Sequence, residues 1–397
     1  MSMRYPAGFI RPGYDPLKNP DAPTIGTATG GDESAAVAFT APSDTGGSAV
    51  SAYYAVSNPG GITASGATSP VSVAGLTNGT PYTFTVWALN TYGPGPYSAA
   101  SGSVTPAAAR GLFGGGETAS SSQGQNVIQY VTIATTGNAI DFGDLTEQGD
   151  ILGACASSTR GVFAGGVYLG TRSNVIQYVT IATTGNAIDF GDLTLARSGL
   201  ASCNSSTRGV FSGGDNGSSR VNVMDYVTIA SIGNATDFGD LLVGNVLLAA
   251  CSSPIRGIFA GGLTSGGVNV IQYITIASTG NATDFGDLID ADYVMAGCSS
   301  STRGLFAGGV STNVIQYITI ASTGNATDFG DLTTQRWALA SCSSSARGVF
   351  GGGTTGSLTN TIDYVVISSL GNATDFGDLI DATRDIVACS NSNGGLA

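Results

Sequence analysis

The chain has 397 residues, 42% of them hydrophobic, with 60 glycines, 10% charged residues and no histidine. Its formal net charge is −13 and Lys18 is its only lysine, so no basic stripe is present to neutralise phosphates, and nucleic acid is excluded as an expected partner. The absence of histidine excludes a His-dependent triad and an imidazole metal site, and neither a basic-plus-apolar signal segment nor an apolar run of about 18 residues is present, so no membrane insertion is expected.

Residues 1–22 are rich in Pro, Gly and aromatics and show no helix or strand period. Tyr5, Phe9, Ile10 and Tyr14 are large apolar side chains in a short run, which points to an extended anchor that packs on a partner; the plainer reading is a frayed terminus. Residues 23–106 read as a separate β module. Strand-like runs cover Ala35–Thr40, Val50–Ser57, Pro70–Leu76, Tyr82–Asn90 and Ser98–Val104, separated by Gly, Pro, Asn and Asp turns at the spacing of a sandwich. The stretch from Leu76 through Tyr82 to Asn90 resembles the fibronectin type III signature, which implies a β-sandwich with Tyr82 as its corner tyrosine. Phe39 stands where that family usually carries a tryptophan. Such modules serve as spacers or docking platforms.

Residues 107–397 are dominated by a repeat. Arg-Gly-aliphatic-Phe-x-Gly-Gly segments begin at Arg110, Arg160, Arg208, Arg256, Arg303 and Arg347, and Asp-Phe-Gly-Asp segments at Asp141, Asp189, Asp237, Asp284, Asp328 and Asp375. The period is 44–50 residues. Four short strands per period predict a β-propeller. Taking the fifth copy, strand a covers Ala338–Ser344, strand b is Arg347–Phe350 in the next copy, strand c covers Asn313–Ala321 and strand d covers Asn325–Leu332. Strands b and c are apolar on both faces, as a sheet covered on both sides requires. Arg110 opens directly with strand b, whereas the tail beyond Leu379 reads as a lone strand a. Six four-stranded blades follow, with the C-terminal strand completing the first and removing an open sheet edge.

Cys155, Cys203, Cys251, Cys298, Cys342 and Cys389 occupy one position per copy. Equivalent positions in different blades stand too far apart to bridge, so these are expected to be small buried thiols. Loop lengths vary only between the Gly-Gly pair and strand c. The d–a loops keep their length but vary in sequence. These two loop sets leave the same face of an antiparallel blade, so one rim is diversified and the other uniform. Recognition is expected on the diversified rim, with Tyr168, Arg172, Arg197, Arg220, Tyr293, Arg336 and Trp337 as its contact residues; drift in unconstrained loops is the alternative.

Two carboxylates three residues apart in Asp-Phe-Gly-Asp fall short of the six to eight oxygens of a Ca²⁺ site, so a charged outer strand that deters edge pairing is the expected role. The repeated Arg at the a–b turn is expected to pair with a neighbouring blade's Asp rather than to form an anion-binding ring. Asn-Ala-Thr at Asn234, Asn281, Asn325 and Asn372 matches a glycosylation triplet and is read as turn chemistry. No nucleotide loop, nucleophile elbow, cofactor site or metal site is evident.

The run from Arg197 to Gly214, with its small-residue strand, its Val-Phe pair and its double glycine, resembles the kelch family, and the Tyr of strand c (Tyr130, Tyr178, Tyr226, Tyr273, Tyr317, Tyr364) matches the kelch Tyr. Phe of Asp-Phe-Gly-Asp stands where kelch strand d usually has Trp. A fibronectin type III-like module joined to kelch-like repeats resembles tailed-phage tail or fibre proteins. The resemblance implies a non-enzymatic virion protein, assembled in the host cytoplasm in several copies. Its N-terminal segment would dock on other virion proteins, and its loop face would bind a host-surface glycan or protein. A structural or capsid-decorating component without a receptor, and a propeller glycan hydrolase, are the alternatives.

Overall fold

The computed structural model describes residues 17–310 and 312–396, and every regular element among them is a strand. No helix of the described residues is long and apolar enough to cross a membrane. The chain divides into two compact units, Met1–Ala108 and Ala109–Ala397. The anchor residues Tyr5, Phe9, Ile10 and Tyr14 lie outside the described residues.

The first unit contains β1 (Thr24–Gly31), β2 (Ser34–Thr40), β3 (Ala52–Asn58), β4 (Thr63–Gly66), β5 (Val71–Ala74), β6 (Thr83–Asn90) and β7 (Gly93–Pro94). They form two antiparallel sheets of order β1-β2-β5 and β4-β3-β6-β7. Period-two alternation aims Phe84, Val86 and Ala88 of β6 into a core with Val37, Ala55 and Val73. On the other face of the same sheet Tyr54 stacks on Trp87 with ring centroids 4.1 Å apart. The Tyr82 hydroxyl accepts a hydrogen bond from the Thr77 N–H at 3.0 Å.

Ser98–Val104 departs from the expected strand. Only Ser98, Ser101 and Val104 donate to the flanking strand, at 2.8 Å each to the carbonyls of Val86, Phe84 and Tyr82. The Ser98 and Ser101 hydroxyls accept in return from the N–H groups of Val86 and Phe84, at 2.9 and 3.0 Å. Pairing thus recurs every third residue, with serine side chains standing in for the carbonyls that a true strand would present.

The second unit contains six four-stranded antiparallel sheets. Sheet 1 comprises Val387–Ser390, Arg110–Gly114, Gln125–Thr132 and Ile140–Gly149; its innermost strand comes from the tail, with Cys389 opposite Leu112. Strands a to d of sheet 2 are Gly153–Ala156, Arg160–Ala164, Val175–Thr180 and Ile188–Asp192. Those of sheet 3 are Ala201–Asn204, Arg208–Ser212, Val223–Thr228 and Thr236–Asp240. Sheet 4 runs through Ala249–Ser252, Arg256–Ala260, Val268–Thr275 and Thr283–Asp292. Sheet 5 uses Ala296–Ser299, Arg303–Ala307, Val314–Thr319 and Thr327–Asp331, and sheet 6 Ala340–Ser343, Arg347–Gly351, Thr361–Val366 and Thr374–Asp378.

Apolar clusters fill the spaces between successive sheets. Phe163, Val179 and Ile181 of sheet 2 pack on Leu112, Ile128 and Phe142 of sheet 1, and Phe113, Val131 and Ile133 of sheet 1 pack on Val349, Ile362 and Phe376 of sheet 6. That is why strand b carries an aliphatic residue and Phe side by side: each serves a different neighbour. Polar bonds follow the same order. Arg110, Arg160, Arg208, Arg256, Arg303 and Arg347 each lie over the Tyr of their own sheet, 4.2–4.8 Å from the ring centre. Each donates from Nη1 to a backbone carbonyl of the next sheet, Ile181, Ile229, Ile276, Ile320, Ile367 and Ile133, at 2.7–3.2 Å. This replaces the expected Arg–Asp pairing. Each of these carbonyls belongs to a residue just past strand c whose own N–H is bonded to the a–b turn or the residue before strand b, as Ile181 is to Thr159 at 2.9 Å, so it is a fixed acceptor, whereas the Asp side chains stand on the outer edge.

That outer edge is also not left to charge alone. The c–d turn of the next sheet runs along it: Gly185 and Ala187 donate to the Phe142 and Asp144 carbonyls at 2.7 Å, and Asn186 Oδ1 accepts from the Asp144 N–H at 3.1 Å. The same side-chain bond recurs around the unit, back to Asn138 accepting from the Asp378 N–H at 3.1 Å. The Asn of Asn-Ala-Thr therefore ties sheet to sheet.

All six cysteines are free and buried, and burial raises the Cys298 thiol well above its ordinary value. Each lies against the Gly that follows the repeated Arg in a neighbouring sheet. A Cβ on Gly348 would stand 2.8 Å from Cys298 Sγ, with every other atom at 3.5 Å or beyond. Gly348→Ala is therefore expected to cost about 1–3 kcal/mol through overpacking. In Cys298→Ala/Gly348→Ala the cost should fall short of the sum of the two single changes by at least about 1 kcal/mol. A urea double-mutant cycle reads this, and additive costs would sink the proposed contact.

Candidate functional site

The start of strand a lies opposite the end of strand b, as Gly153 opposite Ala164 illustrates, so the d–a and b–c loops emerge together on one face. At its centre is a backbone ring. Gly199 donates to the Ile151 carbonyl, Leu247 to Gly199, Val294 to Leu247, Ala338 to Val294, Asp385 to Ala338 and Ile151 to Asp385, at 2.9–3.1 Å. All six residues are left-handed, with φ between 53° and 69°, and two of them are β-branched. Such backbone costs on the order of 1–3 kcal/mol per non-glycine residue and persists only where the surroundings over-determine it; the six closed hydrogen bonds do so here. Beside the ring lies a depression of about 130 Å³ whose lining includes the ring residues themselves and Leu152, Leu200, Leu248, Met295, Leu339 and Ile386. Deeper along the inner strands, Asn204 Nδ2 donates to Asn393 Oδ1 of the tail at 3.2 Å, and Gly394 and Gly395 are buried.

Beneath the loops lies a second layer that the sequence reading missed. Gln129, Gln177, Gln272 and Gln316 occupy one equivalent position of strand c, and each accepts through Oε1 from the N–H two residues after the Asp-Phe-Gly-Asp segment of the preceding sheet (Ile380, Thr146, Leu242 and Ile289), at 2.7–2.9 Å. Sheets 3 and 6 carry Asp225 and Asp363 instead. Those sheets are the two whose entering d–a loop has an arginine four residues after the Leu that follows Asp-Phe-Gly-Asp; Arg384, in the loop entering sheet 1, stands one position later and pairs with Glu117 instead. Arg197 Nη1 lies 3.0 Å from Asp225 Oδ2, and Arg336 Nη2 lies 3.0 Å from Asp363 Oδ2. Each arginine also donates to a carbonyl, that of Phe211 or Phe350, at 3.1 Å. Burial pulls both guanidinium groups below their ordinary pKa, and the facing carboxylates oppose that shift. The signal was visible as a Gln-to-Asp change in the same two copies that have Arg at that one loop position, Arg197 and Arg336.

Three of the seven expected contact residues are consequently interior. Arg197 and Arg336 have 0% exposure, because each answers a buried carboxylate. Tyr168 is buried because it fills the space above Gly149, where a Cβ would meet its ring at 3.1 Å; its hydroxyl accepts from Gln177 Nε2 at 3.0 Å, and burial pushes its pKa up to about 12. The other four stay at the surface. Arg172 pairs with Asp215 at 3.0 Å, Tyr293 and Trp337 are half-buried, and Arg220 is exposed. Arg172 and Arg220 meet at Asp215, whose backbone bridges to Arg220. There the loops of sheets 3 and 4 leave a groove of about 710 Å³ between Ser218, Ser219 and Arg220 on one side and Thr264 and Ser265 on the other. Neither the comparison with protein-family models nor that with curated proteins finds a match for this chain.

No group of three or more Asp, Glu or Cys among the described residues is fit to hold a metal ion. Acidic residues do converge where the tail meets sheet 1. Glu117–Thr118 pairs with Thr383–Arg384. Arg384 donates from Nη2 and Nε to Glu117 Oε2 at 2.6 and 2.8 Å, and its Nε lies 3.4 Å from Asp385 Oδ2. Asp150 is buried beside them with Oδ1 unpartnered. Burial, then the hydrogen-bonded Glu117 carboxylate and the charge of Asp385, push Asp150 up to about 7; burial pushes Asp385 up to about 6. Unfolded carboxyls titrate near pH 4, so between about pH 4 and pH 7 the folded chain holds more protons than the unfolded one, and stability falls as pH rises through that window. The urea midpoint is expected to drop between about pH 5 and pH 8, and Asp150→Asn to remove most of the drop. A midpoint that rises over this range would contradict the assignment.

Proposed function

We propose that residues 109–397 form a closed six-bladed β-propeller of the kelch-like type, preceded by a fibronectin type III-like sandwich, and that the chain is a non-enzymatic virion protein of a tailed-phage tail, fibre or surface appendage. Its loop face contacts a host-surface glycan or protein. Closure is supported by inner strands that touch in sequence order and return to their start, since Val387–Ser390 contacts both Ala340–Ser343 and Gly153–Ala156. The Tyr82–Thr77 hydrogen bond supports the sandwich reading, in which a corner tyrosine bonds to backbone a few residues upstream.

The observation that carries the functional reading is the asymmetry of the two faces. The Arg, Tyr and Asn bonds beneath the a–b and c–d turns repeat in every sheet. The opposite face varies from sheet to sheet around one hydrogen-bonded ring. A rigid platform with diversified loops is the arrangement that recognition uses. A purely structural role is the second reading, favoured by the burial of Tyr168, Arg197 and Arg336.

Binding of the labelled full chain to a panel of bacterial strains tests the two. Under the attachment reading at least one strain is bound, and Trp337→Ala weakens binding about tenfold, a loss of about 1.4 kcal/mol. Binding to none of them supports the structural reading, and degradation of a purified surface glycan would overturn both.

A further inference from the structure

We infer that the groove between the loops of sheets 3 and 4 is a binding site for a carboxylate-bearing saccharide, an inference that rests on the attachment reading and names its ligand class. The loop Asp215–Arg220 is ordered before any ligand arrives. Asp215 Oδ1 accepts from the Gly217 N–H at 2.8 Å and from Arg172 Nη2 at 3.0 Å, and Asn216 Oδ1 accepts from the N–H groups of Ser218 and Ser219 at 2.9 and 2.8 Å. The acidic side chain and the amide oxygen of the loop are therefore already engaged. The Arg220 guanidinium and the hydroxyls of Ser218, Ser219 and Ser265 have no hydrogen-bond or ion-pair partner within the described residues.

With Asp215 Oδ1 and Asn216 Oδ1 already bonded, a groove that presents an unpaired guanidinium and three open hydroxyls favours a ligand rich in oxygen acceptors. Arg220 adds a charge and a planar fork that matches a carboxylate in bidentate fashion. Val243, 52% exposed on the groove wall, offers an apolar surface for the C–H face of a sugar ring. The volume of about 710 Å³ falls within the range of small-ligand sites. The chain's net charge of −13 disfavours polyanions, so one local arginine selects a singly charged unit and not a polyphosphate. Substituents on the ring would be discriminated by the serine hydroxyls, each able to donate or accept.

The test is calorimetric titration of the full chain with a trisaccharide containing one glucuronate, its methyl ester and inorganic phosphate. The acid is expected to bind with a dissociation constant in about the 10 μM to 1 mM range, and the ester and phosphate at least about tenfold more weakly. Arg220→Ala, at an exposed position that leaves the fold intact, is expected to weaken acid binding at least about tenfold, and Ser218→Ala/Ser265→Ala to weaken acid and ester alike. Equal affinity for acid and ester, no loss with Arg220→Ala, or no binding of the acid overturns the inference. The strain-binding assay run in parallel separates it from its premise. Undiminished cell binding by Arg220→Ala sinks the saccharide site and leaves attachment standing. Saccharide binding by a chain that binds no cell sinks attachment and leaves the site.

Discussion

A chain ending at Leu379 is expected to lose cooperative unfolding in its second unit and to self-associate. The missing segment supplies Val387–Ser390, the innermost strand of sheet 1, so its loss bares the edge of Arg110–Gly114. Leu112 and Phe113 on that strand are 0% exposed in the intact protein. A bare apolar edge pairs with another chain. The loss also opens the central ring at Asp385, removes the bond from the Arg110 N–H to Asn391 Oδ1 at 2.8 Å, and takes Arg384 from Glu117. No neighbouring copy replaces these bonds, because every other strand a is already paired. Size-exclusion chromatography should show multimers, and urea unfolding should broaden with a lower m-value. A peptide covering residues 380–396 added in trans should restore a sharp transition. A truncated chain that stays monomeric and unfolds as sharply as the full chain would refute the dependence on this strand.

Much of this architecture was legible because the repeat exposes its own constraints. Strand b could be placed at Arg347 because two apolar faces in five residues fit only a sheet covered on both sides, and Arg347–Gly351 is the strand found. The tail was readable as a strand because it repeats the Ala-Cys-Ser pattern of the inner strands. Strand ends were less legible: strand d was expected to end at the Asp-Phe-Gly-Asp-Leu segment, yet in sheets 1 and 4 it continues to Gly149 and Asp292.

The contact residues were harder for a physical reason. Variation in a loop shows that neighbouring copies do not impose the residue, but not whether the side chain points outward. Arg197 varies because its partner Asp225 varies with it, twenty-eight positions downstream. Tyr168 varies because Gly149 vacates the space it fills. Arg220, in a b–c loop of the same length as that of Tyr168, is exposed. Comparing positions between copies one at a time hides these compensations, whereas comparing pairs of positions exposes them.

The same pairing predicts the second large effect. Arg197→Ala is expected to cost about 3–5 kcal/mol in urea unfolding, because it leaves the Asp225 carboxylate buried without its counter-charge. Asp225 would retain only the Thr194 N–H at 3.2 Å and the Thr194 hydroxyl at 2.6 Å. Arg197→Lys should recover little, since an ammonium cannot reach both Asp225 and the Phe211 carbonyl as the guanidinium fork does. Sheet 4 supplies the neutral alternative. There Asn245 donates from Nδ2 to the Gly261 carbonyl at 2.9 Å, and Gln272 takes the place of Asp225. The double change Arg197→Asn/Asp225→Gln transplants that pair into sheet 3 and is expected to return stability to within about 1 kcal/mol of the native chain, since a buried ion pair and its neutral replacement differ far less than a pair and half a pair. If the double change is as destabilised as Arg197→Ala, the arginine holds the loop by packing alone, and the compensation between the two positions is coincidental.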